Sequence, residues 1–88
     1  MSEQESVFEF PCEFPIKMMG RDTPEFRATA RELVEKHAGE VADNAVQAAL
    51  SRKGNFVSIT VTITATSQQQ LDAIYQDATD HEDVLMAL

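Results

Sequence analysis

Cys12, the imidazoles of His37 and His81, and the turn Gly20-Arg21-Asp22-Thr23-Pro24 are the groups whose chemistry could support a function in this 88-residue chain. A thiol is a strong nucleophile only as the thiolate, and the anionic neighbours Glu9 and Glu13 oppose that charge on Cys12. The cysteine stands in FEFPCEFP, which writes Glu-Phe-Pro twice. Phe8, Phe10, Cys12 and Phe14 alternate with Glu9, Pro11 and Glu13, so the thiol reads as one member of an apolar stripe on an extended chain. One cysteine makes no internal disulfide, and metal motifs need at least paired Cys or His ligands. His37 and His81 are far apart, and neither has a Ser or Cys at a spacing that proposes a triad. No catalytic residue, metal or cofactor is expected.

The turn is the better candidate. A helix opening at Pro24 would offer free N–H groups and partial positive charge, and Arg21 could hold a carboxylate, so Gly20, Arg21, Asp22 and Thr23 form a candidate ligand loop. The plainer reading is cap chemistry: Thr23 as N-cap, Pro24 at the first helical position and Glu25 in the first turn. Arg21, Arg27 and Arg31 could make a basic patch, but Arg31–Glu35 has the spacing of a helix ion pair, and a solvated face is the expectation.

These groups must be positioned by short elements. Residues 14–19 alternate as a strand with Phe14, Ile16 and Met18 on one face, and Gly20 is expected to end it. Pro11 and Pro15 lack N–H groups, so the segment before Phe14 should lie along a sheet edge or under the core. Phe26, Ala30, Leu33, Val34 and His37 form a helical stripe that Gly39 closes. Residues 44–51 read as a strand with Val46, Ala48 and Leu50 inward. Gly54 supplies the turn. Residues 56–65, FVSITVTITA, alternate strictly, as in a sheet covered on one face. Ser67 to Gln70 reads as a capping box, and Leu71, Ile74, Tyr75 and Ala78 form the second helical stripe. VLMAL closes the chain as a strand. The order βαββαβ, with right-handed crossovers, predicts a single α+β domain over residues 1–88: a ferredoxin-like two-layer sandwich with antiparallel sheet order 4-1-3-2. Residues 1–7 read as a disordered tail.

One sheet face then has no helix over it. It presents Lys17, Met19, Ala49, Phe56, Thr60, Thr62 and Thr64. Lys17, Met19, Phe56, Thr60 and Thr62 are the candidate partner-binding residues; the alternative is a solvated threonine-rich face.

Composition limits the partners. The net charge is −8, all seven Lys and Arg fall between Lys17 and Lys53, and both flanks carry only acids. Such a surface disfavours nucleic acid and anionic membranes. There is no basic, apolar leader at the start, no membrane-length apolar run and no cysteine pair, which together predict a cytoplasmic protein.

EFP-x-x-F-x-x-K-x-M-G at Glu9 to Gly20, and KGN at Lys53 to Asn55, resemble the YbeD-like family of small bacterial proteins over nearly the whole chain. The resemblance implies a ferredoxin-like fold similar to ACT domains, which bind amino acids, often at dimer interfaces. It implies no catalytic residues. Gene neighbourhoods in the family suggest an accessory role in lipoate or other cofactor metabolism. In the ACT pattern Asp/Asn-x-Pro-Gly, Asp22 and Pro24 match, but Glu25 stands where the glycine would be. Its side chain obstructs close backbone approach, and its carboxylate opposes an anionic ligand. Other users of this fold are matched less well. GRDTPEF is unlike the acylphosphatase phosphate loop, a copper chaperone needs two cysteines, and an RNA-binding sheet needs aromatics on its central strands. The expectation is a non-enzymatic binding or regulatory module acting through an unidentified protein partner or a homodimer. The alternative is a dimeric sensor of an amino acid or related metabolite.

Overall fold

A computed structural model describes residues 9–88. The tail at residues 1–7 lies outside the described residues. The elements are β1 (Cys12–Arg21), α1 (Pro24–Ala38), a short 3₁₀ turn (Asp43–Ala45), β2 (Val46–Leu50), β3 (Phe56–Ala65), α2 (Gln68–Asp80) and β4 (Met86–Ala87). The sheet order is β2-β3-β1-β4 with every pair antiparallel, the expected 4-1-3-2 read from its other edge.

Strict alternation makes β3 the spine. Val57, Ile59, Val61, Ile63 and Ala65 are buried toward the helices. From β1 they meet Ile16 and Met18, and from the helices Phe26, Ala30, Val34, Leu71, Ile74 and Ala78. Two local caps aim the helices. Thr23 Oγ1 accepts from the Phe26 N–H at 3.0 Å, and Ser67 Oγ accepts from the Gln70 N–H at 3.1 Å. Gly39 closes α1 at φ 81°, a conformation that favours glycine.

Five local expectations change, the last being that only Met86–Ala87 of VLMAL form a strand. The capping box is only half made: Gln70 Oε1 accepts from Thr66 N–H at 2.8 Å rather than from Ser67, while its Nε2 donates to the His37 carbonyl at 3.1 Å. The side chain is drawn away to tie α2 to the end of α1. The first strand starts two residues earlier than expected and does not stop at Gly20. That glycine is needed for packing. A Cβ on it would lie 2.6 Å from the Asp83 carbonyl oxygen and 2.7 Å from the Phe26 ring. The strand expected over 44–51 keeps only Val46–Leu50, because Asp43–Ala45 coil into the 3₁₀ turn.

The fourth change is at the same strand. Ala48 is exposed, and Leu50 is 58% exposed, rather than inward. Their register partners Ile59 and Val57 do face the helices. Parity was therefore right, but β2 is the outermost strand and the helices sit over β3 and β1. The proline expectation holds. Lys17 exchanges main-chain hydrogen bonds with Leu88, and Leu85 N–H donates to the Met19 carbonyl. By alternation the nitrogen of Pro15 faces that same side, beyond the reach of β4.

Candidate functional site

The open face is assembled by register. β1 contributes Lys17, Met19 and Arg21, paired with Thr60, Ser58 and Phe56 of β3. β2 adds Gln47 beside Thr60 and Ala49 beside Ser58. Pro15 pairs with Thr62, which completes the expected set of Lys17, Met19, Phe56, Thr60 and Thr62 on one face. β4 brings Met86 beside Met19, and the Lys17–Leu88 main-chain bonds put Leu88 in the next row. Met86 is 50% exposed and Leu88 62%.

The result is a row of Met86, Met19, Ser58 and Ala49 across the sheet, apolar except where Ser58 crosses β3, with Leu88 in the next row beside Lys17. Phe56 lies at one corner, and a hollow of about 120 Å³ opens between Met19, Ala49, Phe56 and Ser58. Lys17 and Arg21 flank the first row, and the Arg21 guanidinium lies 5.6 Å from the centre of the Phe56 ring. Stacking on an aromatic face uses Arg21's weakly hydrated plane and fixes where its charge sits. Sequence reasoning missed Met86 and Leu88. Their alternation in VLMAL marks a shared face, but only the β1–β4 register says which face.

The candidate ligand loop divides. Gly20 is buried by its close packing. Asp22 is taken up by Arg27, whose Nε and guanidinium NH2 both lie 2.9 Å from Oδ1. Thr23 caps α1. Only Arg21 and Thr23 line a hollow, one of about 180 Å³ shared with Phe26, Glu82, Asp83 and Leu85. Arg21, Glu82 and Asp83 thus border one hollow together with the apolar Phe26 and Leu85. Glu82 and Asp83 are additional candidates. They lie far along the chain, and the α2–β4 connection brings them here.

The remaining basic groups on α1 are also partnered. Arg31 donates to Glu35 at 3.2 Å, to Asp43 at 2.8 Å and to the Val41 carbonyl at 2.6 Å. Hydrogen bonds from Asp43 and then Glu35 raise its pKa above the ordinary arginine value. The Val41 N–H bond, helped by Arg31, lowers that of Glu35. Lys36 lies 3.4 Å from Asp77 and His37 2.6 Å from it, so α1's basic end is tied to α2. Cys12 packs half-buried beside the core, as the apolar stripe predicts. Among the described residues no cluster of His, Cys, Asp and Glu is placed to hold a metal, and no helix is long and apolar enough to cross a membrane.

The profile of a family described as protein of unknown function, DUF493, matches residues 5–88. The chain belongs to the DUF493 family. A UPF0250 protein of Chromobacterium violaceum is 48% identical, covering 98% of this chain and 97% of its own. One from Neisseria gonorrhoeae is 42% identical over the whole of both chains. The YbeD-like resemblance carried by the Glu9–Gly20 signature is borne out at this level. The solution structure of protein HP0495 from H. pylori matches with a TM-score of 0.73, covering 98% of this chain and 90% of that one at 18% identity. That likeness shows that this chain and HP0495 share the ferredoxin-like arrangement.

Proposed function

We propose that this DUF493 protein is a non-enzymatic binding module that docks a protein partner on its open sheet face. The observation that carries this reading is the group of exposed Met86, Leu88 and Ala49 around half-buried Met19, on a sheet face that no helix covers, flanked by Lys17 and Arg21. Apolar side chains ringed by fixed charge suit a partner that presents an apolar anchor beside acidic groups. In a chain of net charge −8, these two cations are a local exception that would orient such a partner. The setting proposed is the cytoplasm, with no cofactor, nucleic acid or membrane in the recognition step.

A photo-crosslinking residue at Thr60 or Met86, compared with one at Gln76 on the exposed side of α2, tests this. Capture of the same protein from both sheet positions, but not from Gln76, is expected. Met19→Glu should abolish that capture while the fold is kept. Equal capture from both faces, or capture unaffected by Met19→Glu, would refute the assignment.

A second reading rests on the hollow between Arg21 and the Glu82–Asp83 pair. One cationic and two acidic residues bordering a hollow with apolar Phe26 and Leu85 suit a zwitterion such as an amino acid, and the module would then be a small-metabolite sensor. At a hundred times its dissociation constant such a ligand adds about 2.7 kcal/mol of stability. An amino acid panel should raise the melting temperature for one compound, and Arg21→Ala should remove the rise. A flat panel rejects the sensor and leaves the sheet-face reading untouched.

A further inference from the structure

The outer edge of β2 is a surface distinct from the sheet face, and no described strand pairs with it. Ser51 N–H donates to the Phe56 carbonyl at 2.9 Å, so alternation turns the peptide groups of Ala49 and Gln47 inward to β3. Those of Val46, Ala48 and Leu50 point outward. Edge strands ordinarily carry a charge, a proline or a bulge that blocks further pairing. The strand Val46-Gln47-Ala48-Ala49-Leu50 has no charge and no proline, and its register with β3 runs without a break. The side chains of Ala48 and Leu50 extend past the cover of the helices, while Val46 packs half-buried at its rim.

We infer that a second copy of this chain pairs here, β2 against β2, antiparallel about a two-fold axis through Ala48. The strand is complementary to itself in that register. Every outward N–H of one copy meets an outward carbonyl of the other. Val46 of one copy lies opposite Leu50 of the other, on the overhanging apolar side, so the 58% exposed leucine gains a hydrophobic neighbour. The flanks match as well. The axis brings Asp43, whose side chain is 93% exposed although it holds Arg31, to the end of the other copy that carries Arg52 and Lys53. Charge otherwise opposes association in a chain of net charge −8, but β2 lies in the stretch from Lys17 to Lys53, where all seven basic residues are found. The inference does not rest on the sheet-face reading, because it uses the edge and leaves that face open on both copies.

Sedimentation of the full chain over a concentration series, with amide exchange at Val46, Ala48 and Leu50, tests it. A dimer is expected, and the three amides should become slower to exchange as concentration rises. Ala48→Lys sets two cations face to face on the axis and should raise the dissociation constant at least ~10-fold. Ala48→Pro removes only an outward N–H, so it should dissociate the dimer with the monomer's circular dichroism unchanged. Lys53→Glu, in an exposed turn, should weaken the dimer, and adding Asp43→Lys should restore it. A monomer at all concentrations with fast exchange at the three amides overturns the inference. So does protection that is independent of concentration, which would report an intrachain cover or another protein's strand. A dimer that survives both Ala48 variants but is lost in Met19→Glu would move self-association to the sheet face and overturn it equally.

Discussion

His37 Nε2 at the end of α1 lies 2.6 Å from Asp77 Oδ2 on α2. This contact joins residues 40 positions apart and closes the helical layer where the Gln70–His37 carbonyl bond also crosses. The hydrogen bond from His37, with a smaller contribution from Lys36, holds the Asp77 carboxyl below the ordinary aspartate value.

The sign of the pH dependence follows. A carboxyl depressed by folding contributes stability that is fully present above its unfolded value and is lost as pH falls through the folded one. Asp77 and Glu35 should therefore both steepen acid unfolding below about pH 4, the ordinary carboxylate range. Asp77→Asn should flatten that limb in a circular dichroism titration. An unchanged acid midpoint would show that the pair makes no difference between the folded and unfolded states.

Gly20→Ala should destabilise by about 1–3 kcal/mol, the usual cost of overpacking. The added methyl meets a backbone carbonyl and a buried ring, neither of which is the free end of a flexible chain. Urea unfolding gives the value, and a loss below ~0.5 kcal/mol would mean the Asp83 loop yields easily.

Arg31 binds Glu35, Asp43 and the Val41 carbonyl, while Glu35 accepts from the Val41 N–H at 3.0 Å. This fork fixes the segment leading into β2. Arg31→Ala should speed amide exchange at Val41 and Ala45 with the α1 core intact, and Arg31→Lys should not rescue it, because an ammonium lacks the planar fork.

Phe14 packs half-buried with its ring edge-on to Tyr75, centroids 6.5 Å apart. Phe14→Ala should cost about 2 kcal/mol, less than the 3–5 of a fully buried aromatic. Cys12→Ser should leave partner capture intact. Lost capture in a folded Cys12→Ser protein would give the thiol a role that its packing does not suggest.

Local chemistry was legible in the sequence. Thr23, Ser67 and Gly39 cap their helices as their types demand, and the Ser–Thr alternation of β3 revealed a sheet with one bare face. What could not be read depends on distance. Whether Leu50 is inward depends on how far α1 and α2 reach across the sheet, not on its own strand. Met86 and Leu88 join the open face only through register with β1. In the sequence Gly20 reads as a strand end, because a glycine that admits Phe26 and Asp83 looks the same there as one that makes a turn. Of the candidate loop, Arg21 and Thr23 remain at a hollow, while Asp22 is neutralised by a partner one helical turn into α1.

Pro15 has a further effect at the opposite edge. Its ring nitrogen points away from β3 along the stretch of β1 that β4 leaves bare, so an incoming strand would find a missing donor there. On the inference above, one side of the sheet would recruit a neighbour, while Pro15 blunts the other. Pairing through β2 as inferred would use up the available side on both copies, so the assembly would close at two instead of propagating as a fibre.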